Sequence, residues 1–274
     1  MQTIAAPARP FLKWAGGKTQ LLAELLARVP SSFGRYHEPF VGSGALFFAI
    51  RAGARVKACL SDANGPLIEA YKAIRGDVDG VIAALGRHRN TETRFYRVRA
   101  LDPAELPPAE RAARLIYLNR TCFNGLYREN RSGRFNVPFG RYVRPRICNE
   151  ANLRAVAHAL RGVSIAQRGY ATALRVAKPG DFVYFDPPYQ PVSATASFTA
   201  YDRGGFGEAD QRRLAEVFAE LGSRGVRVML SNSDTPLVRE LYAAFRVDRV
   251  WAARAINSRG DRRGKVPEVI VVAP

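Results

Sequence analysis

The chain is short of cysteine, of histidine and of long apolar runs, and each shortage removes a class of protein. Its three cysteines, Cys59, Cys122 and Cys148, stand far apart in 274 residues. They match neither a disulfide framework nor a zinc-ligand spacing, which fits a reducing interior. His37, His88 and His158 are scattered, so no metal site is expected. No run of about 18 apolar residues occurs, so no membrane span is expected. The opening MQTIAAPARPF has no apolar core of a signal peptide, and a cytoplasmic location is the expectation. No Pro-Cys pair occurs, which leaves no candidate for a cysteine nucleophile attacking a pyrimidine ring. Two phosphate-binding fingerprints fail as well. Gly17-Lys18-Thr19 resembles the end of a P-loop, but Leu12 stands where its first glycine belongs. Gly42-Ser43-Gly44 has Phe47 in place of the third glycine of a dinucleotide site.

Positive charge is abundant. The 42 Lys and Arg outweigh 24 Asp and Glu, for a net charge of +18. A compact protein this basic attracts polyanions, because phosphate contacts release condensed counterions. A solubility bias accounts for the same number, and charge alone does not separate an enzyme from a binder. The 47% apolar content is that of a globular core.

Helical and strand patterns alternate at both ends of the chain. Leu21, Leu22, Leu25, Leu26 and Val29 recur at helical spacing. A short strand is expected to end at Phe40-Val41 and to lead through Gly42-Ser43-Gly44 into a helix. Arg55–Leu60, Asp181–Phe185, Val226–Leu230 and Val269–Val272 read as further strands. Leu214, Val217, Phe218 and Leu221 mark an amphipathic helix. This alternation argues an α/β fold with a mostly parallel sheet. The middle is rich in Arg, loops and short helical stretches, and reads as an inserted, mostly helical domain. The expected division is 1–64 with 150–274, and 65–149 between them.

The strongest local signal is Asp186-Pro187-Pro188-Tyr189, directly after an apolar strand. Ligands of open α/β sheets bind outside the carboxyl ends of the strands. An adenine amine is a poor nucleophile because its lone pair is delocalised into the ring. A carboxylate at Asp186 and the backbone carbonyl of Pro187 are two acceptors that favour a pyramidal nitrogen, its lone pair aimed at a methyl donor. The prolines fix φ and stiffen the turn. Tyr189 offers a ring for an extruded base, worth roughly 1–3 kcal/mol of stacking. A plain Pro-Pro turn is the bland alternative.

Three weaker signals accompany it. In Glu38-Pro39-Phe40-Val41-Gly42-Ser43-Gly44 the glycines let backbone approach a ligand, and Asp62 at the end of the next strand suits a ribose diol. With the quartet this points to S-adenosylmethionine. In Phe11–Lys18, Trp14 is a candidate to pack on that cofactor and Lys18 to face its carboxylate; a core Trp and a solvated Lys are as consistent with the spacing. The stretches Asn119–Arg128 and Phe135–Tyr142 interleave Asn, Arg and aromatics, the side chains that read purine edges, hold phosphates and wedge into base stacks. A polar surface hairpin is the alternative.

Together these segments, with Ser193–Tyr201, Ser231–Thr235 and Arg254–Ser258, resemble the Dam family of DNA adenine-N6 methyltransferases over nearly the whole chain. The resemblance implies a class I, Rossmann-like methyltransferase sheet with an inserted helical DNA-recognition domain. It implies S-adenosylmethionine as methyl donor, with S-adenosylhomocysteine as product, and no metal. Trp14, Lys18, Phe40, Asp62 and Asp186 then line the cofactor site. Asp186, Pro187, Pro188 and Tyr189 hold a flipped adenine. Residues matching Lys13, Leu126, Arg128, Pro138 and Tyr142 meet the bases of GATC. Phe123 and Asn124 insert into the duplex, and Asn130 and Asn136 contact phosphate. Family members often carry Tyr where Phe123 stands, so the ring is kept and a hydroxyl lost. Double-stranded DNA is the expected partner, no membrane is involved, and a monomer is expected. A cytosine-N4 methyltransferase, an RNA or protein amine methyltransferase and a catalytically inactive DNA-binding regulator are the rivals.

Overall fold

The computed structural model describes residues 6–14, 16–130, 132–191, 206–253 and 265–273. In chain order it has α1 (Leu22–Leu26), β1 (Arg35–Glu38), α2 (Ala45–Gly53), β2 (Lys57–Asp62), α3 (Gly65–Gly76), α4 (Val78–Gly86) and α5 (Glu92–Ala100). Then come α6 (Pro108–Thr121), α7 (Glu150–Ala159), β3 (Ser164–Gln167), α8 (Ala173–Val176) and β4 (Phe182–Phe185). Last are α9 (Glu208–Ser223), β5 (Arg227–Ser233), α10 (Pro236–Leu241), β6 (Arg246–Ala253) and β7 (Lys265–Ala273). The chain forms two compact units. Lys18–Val41, Val56–Ala63 and Arg168–Pro274 make a sheet unit, and Met1–Gly17, Gly42–Arg55 and Asn64–Gln167 make a helical unit.

In the sheet unit six strands run in the order β2-β1-β4-β5-β7-β6. The first four are mutually parallel, whereas β7 pairs antiparallel with both β5 and β6. All four residues of β4 are buried, as a strand covered on both faces requires. Its register sets Val183 opposite Val228 and Phe185 opposite Leu230. Leu214, Val217, Phe218 and Leu221 recur along α9 at helical spacing and pack onto Val183, Phe185, Val228, Leu230, Val269 and Val271. At the amino end of β4, Asp181 accepts hydrogen bonds from the Arg35 and Lys178 amides at 2.9 and 3.0 Å, and its carboxylate lies 2.9 Å from His37 Nε2. A Cβ on Gly34 would fall 2.8 Å from the same carboxylate, so glycine is what lets β1 start there.

Several boundaries differ from the sequence reading. Strand β1 stops at Glu38 because Pro39 has no N–H with which to continue the ladder. Strand β2 starts at Lys57 and runs to Asp62. Strand β5 extends to Ser233, where Ser231, Asn232 and Ser233 pair with Ile270, Val269 and Glu268 of β7. Strand β6 was not anticipated: the charged Arg246, Asp248 and Arg249 disguise an edge strand that pairs only through β7 among the described residues.

The helical unit is organised by caps. Asn64, Asp77, Thr91 and Asn149 each accept a hydrogen bond from a first-turn amide of α3, α4, α5 and α7. Helix α6 lies against α3, α4 and α5, burying Ala112, Ala113, Leu115, Ile116, Tyr117 and Leu118. Arg114 of α6 donates to the carbonyls of Val98 and Arg99 in the last turn of α5. Among the described residues no helix is long and apolar enough to cross a membrane.

Candidate functional site

The sheet unit brings three of the expected residues together. Asp186 follows the last residue of β4, and its Oδ1 lies 2.7 Å from Lys18 Nζ and accepts a hydrogen bond from Ser231 Oγ at 3.0 Å. Ser231 Oγ is also 2.8 Å from the Tyr184 hydroxyl. A serine hydroxyl has one proton, and it goes to Asp186, so Tyr184 is the donor to Ser231. A relay therefore runs Tyr184 to Ser231 to Asp186, all of it pointing at Oδ1. The other oxygen, Oδ2, takes no part in it. The Asp186 side chain is 20% exposed and Lys18 only 6%. Burial raises the Asp186 carboxyl above its ordinary value, while the Lys18 ammonium and the Ser231 hydroxyl pull it down.

Tyr189 completes the cluster. Its hydroxyl donates to Glu268 on β7 at 2.8 Å, and Lys18 Nζ sits 4.3 Å from the centre of its ring. Burial, then the Asp186 and Glu268 charges, push this phenol well above its ordinary range, so it stays neutral and a donor. Lys18, expected at a cofactor carboxylate, here pairs with Asp186; a buried ammonium needs a counter-charge. Pro187 is buried and Pro188 half-buried.

Phe40 stands elsewhere in the same unit, in an aromatic group with Tyr170, stacked at 5.4 Å, and with Phe185 and Phe206 edge-on. Asp62 ends β2, and its backbone carbonyl accepts from the Arg168 amide at 3.0 Å. Asp62 and Asp186 thus stand at the carboxyl ends of parallel strands of one sheet.

The helical unit gathers the other candidates. Trp14 stacks on Tyr127 at 5.3 Å. A Cβ on Gly42, at φ +45°, would lie 2.9 Å from the Trp14 ring, so that turn is reserved for glycine. Fully buried Asn119 fastens the amino-terminal segment to the Phe123-Asn124-Gly125 turn: it accepts from the Lys13 amide and donates to the carbonyls of Lys13 and Gly125, all at 2.7–2.8 Å. Lys13 Nζ lies 4.7 Å above the Tyr142 ring.

The segment 122–139 is a hairpin with antiparallel bridges Cys122–Phe139 and Glu129–Phe135. Side chains alternate along such segments. Tyr127, Phe135 and Val137 point inward and are buried, while Arg128, Asn130 and Pro138 are exposed and Leu126 and Asn136 half-exposed. Phe123 is 50% exposed, and Asn124 has φ +55°, a strained value for a residue with a side chain. Arg128 Nε donates to Asn136 Oδ1 at 2.8 Å, which aims the guanidinium. Asn130 Oδ1 accepts from the Ser132 and Arg134 amides, so its carbonyl shapes the turn. The Cys122 thiol is pushed up to about 12 by burial, which leaves it an inert thiol. Among the described residues no three His, Cys, Asp or Glu side chains are placed to hold a metal ion. The segments 193–201 and 254–258, part of the family resemblance, lie outside the described residues.

Sequence reasoning gave no site role to Tyr184, Ser231 or Glu268, and placed Asn119 in a DNA-reading stretch where the structure makes it a buried anchor. They act from inside, through hydrogen bonds to residues that were singled out, and spacing carries no signal for such partners.

An α/β sheet carrying Asp-Pro-Pro-Tyr beyond a central parallel strand, with one antiparallel strand, β7, next to one edge, defines a Rossmann-like methyltransferase. The profile of D12 class N6 adenine-specific DNA methyltransferases matches residues 14–256. The chain belongs to that family. It is 40% identical over 271 residues to the Type II methyltransferase M1.LlaDCHI of Lactococcus lactis subsp. cremoris, covering 96% of this chain and 94% of that one. It is 40% identical to the Type II methyltransferase M.MjaIII of Methanocaldococcus jannaschii, covering 93% and 95%. It is 37% identical to the DNA adenine methylase of Escherichia coli (strain K12), covering 96% and 95%.

Proposed function

We propose that this chain transfers a methyl group from S-adenosylmethionine to N6 of an adenine extruded from double-stranded DNA, within GATC. The observation that carries the reading is Asp186: its Oδ1 is held by Lys18 and Ser231 while Oδ2 makes neither bond. An acceptor held on one side and open on the other suits an amine that must be oriented before it reacts.

The groups of the sheet unit suit the methyl donor. Asp62 and Asp186 are carboxylates for a ribose diol and a cationic centre, Lys18 is an ammonium for a carboxylate, and Phe40 is an aromatic face for a base. These four residues would hold it. Bound there, S-adenosylmethionine supplies an electrophilic methyl on a sulfonium.

The remaining work falls to the protein. Asp186 Oδ2 and the Pro187 carbonyl accept the two amine protons and orient the nitrogen. The Lys18 ammonium opposes the upward push of burial on the Asp186 carboxyl and so favours its charged, accepting form. After transfer the nitrogen carries an extra proton, and Asp186 is the nearest base to take it. Extrusion of the base costs a few kcal/mol and is offset by contacts in the pocket. Positioning and electrostatics carry the rate, with no covalent enzyme intermediate. For the DNA we assign target reading to segment 65–149, with Arg128 and Tyr142 at base edges, Phe123 and Asn124 as the wedge, and Asn130 and Asn136 at phosphates. The name of one relative, the DNA adenine methylase of Escherichia coli, favours DNA as the substrate.

The test is tritium transfer from labelled S-adenosylmethionine to two duplexes that differ only in GATC against GTAC. Label on the first alone is the expected result. Equal label on both removes GATC, and label on neither removes the methyl-transfer reading for this substrate.

A further inference from the structure

We propose that Gln211 and Asn232 are positioning residues that clamp the Asp186–Tyr189 loop from behind. The inference rests on the proposed methyl transfer and adds two residues to it. Pro187 and Pro188 have no N–H, so the middle of the loop offers carbonyls but no backbone donors. It must be gripped at a carbonyl by a donor, or at the first amides beyond the prolines. The structure does both. Gln211 Nε2, on α9, donates to the Pro188 carbonyl at 2.9 Å. Asn232 Oδ1, on β5, accepts from the Gln190 amide at 3.0 Å and from the Ser233 amide at 2.8 Å. The two side chains meet, Asn232 Nδ2 donating to Gln211 Oε1 at 2.9 Å.

Each amide has one orientation only. A peptide N–H donates and a carbonyl accepts, so Asn232 must turn its oxygen to Gln190 and Gln211 its nitrogen to Pro188. The chain of four bonds has no register slip available to it. Gln211 and Asn232 are both fully buried, so a broken bond leaves a polar group without water. The clamp holds Pro188 and Gln190 on either side of Tyr189, and the Pro187 carbonyl stays out of it. That carbonyl is the one assigned to the adenine amine. Gln211 and Asn232 thus fix its direction without touching substrate, and a displacement near 1 Å at such a site costs on the order of 10²-fold in rate.

The test is single-turnover tritium transfer to unmethylated plasmid DNA at saturating S-adenosylmethionine, with DNA affinity and thermal midpoint measured on the same proteins. Gln211→Glu keeps the acceptor for Asn232 and loses the donor to Pro188. Asn232→Asp keeps the acceptor for Gln190 and loses the donor to Gln211. Each is expected to slow transfer about 10- to 100-fold, with DNA affinity within about threefold of wild type. Transfer within threefold of wild type in both single variants overturns the clamp. So does a loss that disappears on cooling well below the thermal midpoint, which marks a structural role. Asp186→Ala is the control: if that variant transfers label, the reading of the site itself fails, whatever the clamp does.

Discussion

The loop after β4 and the hairpin 122–139 are built on opposite plans. Around Asp186 the polar groups are held by partners within the fold: buried Ser231 and Lys18 on the carboxylate, half-buried Glu268 on the Tyr189 hydroxyl. On the hairpin the candidate side chains Phe123, Arg128, Asn130 and Pro138 face outward, Arg128 and Asn130 tied to neighbours on the hairpin itself, and the turn beneath them is fastened from inside by Asn119. A methyl transfer needs fixed geometry in a dry place. Reading DNA needs donors and rings left free for a partner not yet bound. The difference teaches that the rigid part of each region lies under the residues that act.

The comparison is broken most strongly at its rigid end. Asp186→Ala is expected to lower turnover by about 10³-fold or more while DNA affinity changes little, since removing one group that stabilises the reacting atoms has effects of that order. Radiolabel transfer and gel shift together check it. Near-normal turnover contradicts the assignment.

Arg128→Ala acts on the open end and sharpens the contrast. It is expected to cost about 1–3 kcal/mol at one base pair and to relax selectivity there. Transfer rates on duplexes singly substituted in GATC measure it; an equal loss on every duplex makes Arg128 a phosphate contact. Asn119→Ala asks whether the open face depends on its buried anchor. Three bonds to the Lys13 and Gly125 backbones vanish, two carbonyls and one amide lose their partner, and about 1–3 kcal/mol of stability is expected to go with them. Urea unfolding of the full chain reads it.

Smaller effects come from groups outside both regions. Burial first, then the charges of Arg94 and Arg87, hold His88 down at about 4, against an ordinary 6.5. Between these values the unfolded chain binds a proton that the folded chain refuses. Stability therefore falls as pH drops from 6.5 toward 4. Urea unfolding of His88→Gln at pH 7 and pH 4.5 is expected to show a smaller difference than wild type. Tyr242 sits in the sheet-unit core, and its hydroxyl has no hydrogen-bond partner among the described residues. Tyr242→Phe is expected to leave stability within about 0.5 kcal/mol of wild type, or to raise it, because a buried donor without a partner contributes nothing favourable.

What was legible in the sequence follows the same division. The run Asp181–Phe185 announced β4, and the quartet after it marked the candidate site, because a buried strand and a proline-stiffened turn leave local marks. The spacing of Leu214, Val217, Phe218 and Leu221 announced α9 in the same way. Strand β6 left no such mark, since an edge strand tolerates Arg246, Asp248 and Arg249. The polar end of β5 hid inside Ser231-Asn232-Ser233, residues that pair with β7 only once the chain has folded. Ser231, Glu268 and Asn119 were invisible as partners because they reach residues 45, 79 and 106 positions away, and no spacing rule spans such distances.

Mass spectrometry of nucleosides tests the central claim most directly. Plasmid DNA lacking methylation is incubated with the purified chain and S-adenosylmethionine, digested and analysed. The account predicts N6-methyladenine and no methylated cytosine, with none of either after incubation with Asp186→Ala. N4-methylcytosine in the digest, no modified base with the wild-type chain, or N6-methyladenine from the Asp186 variant would contradict it.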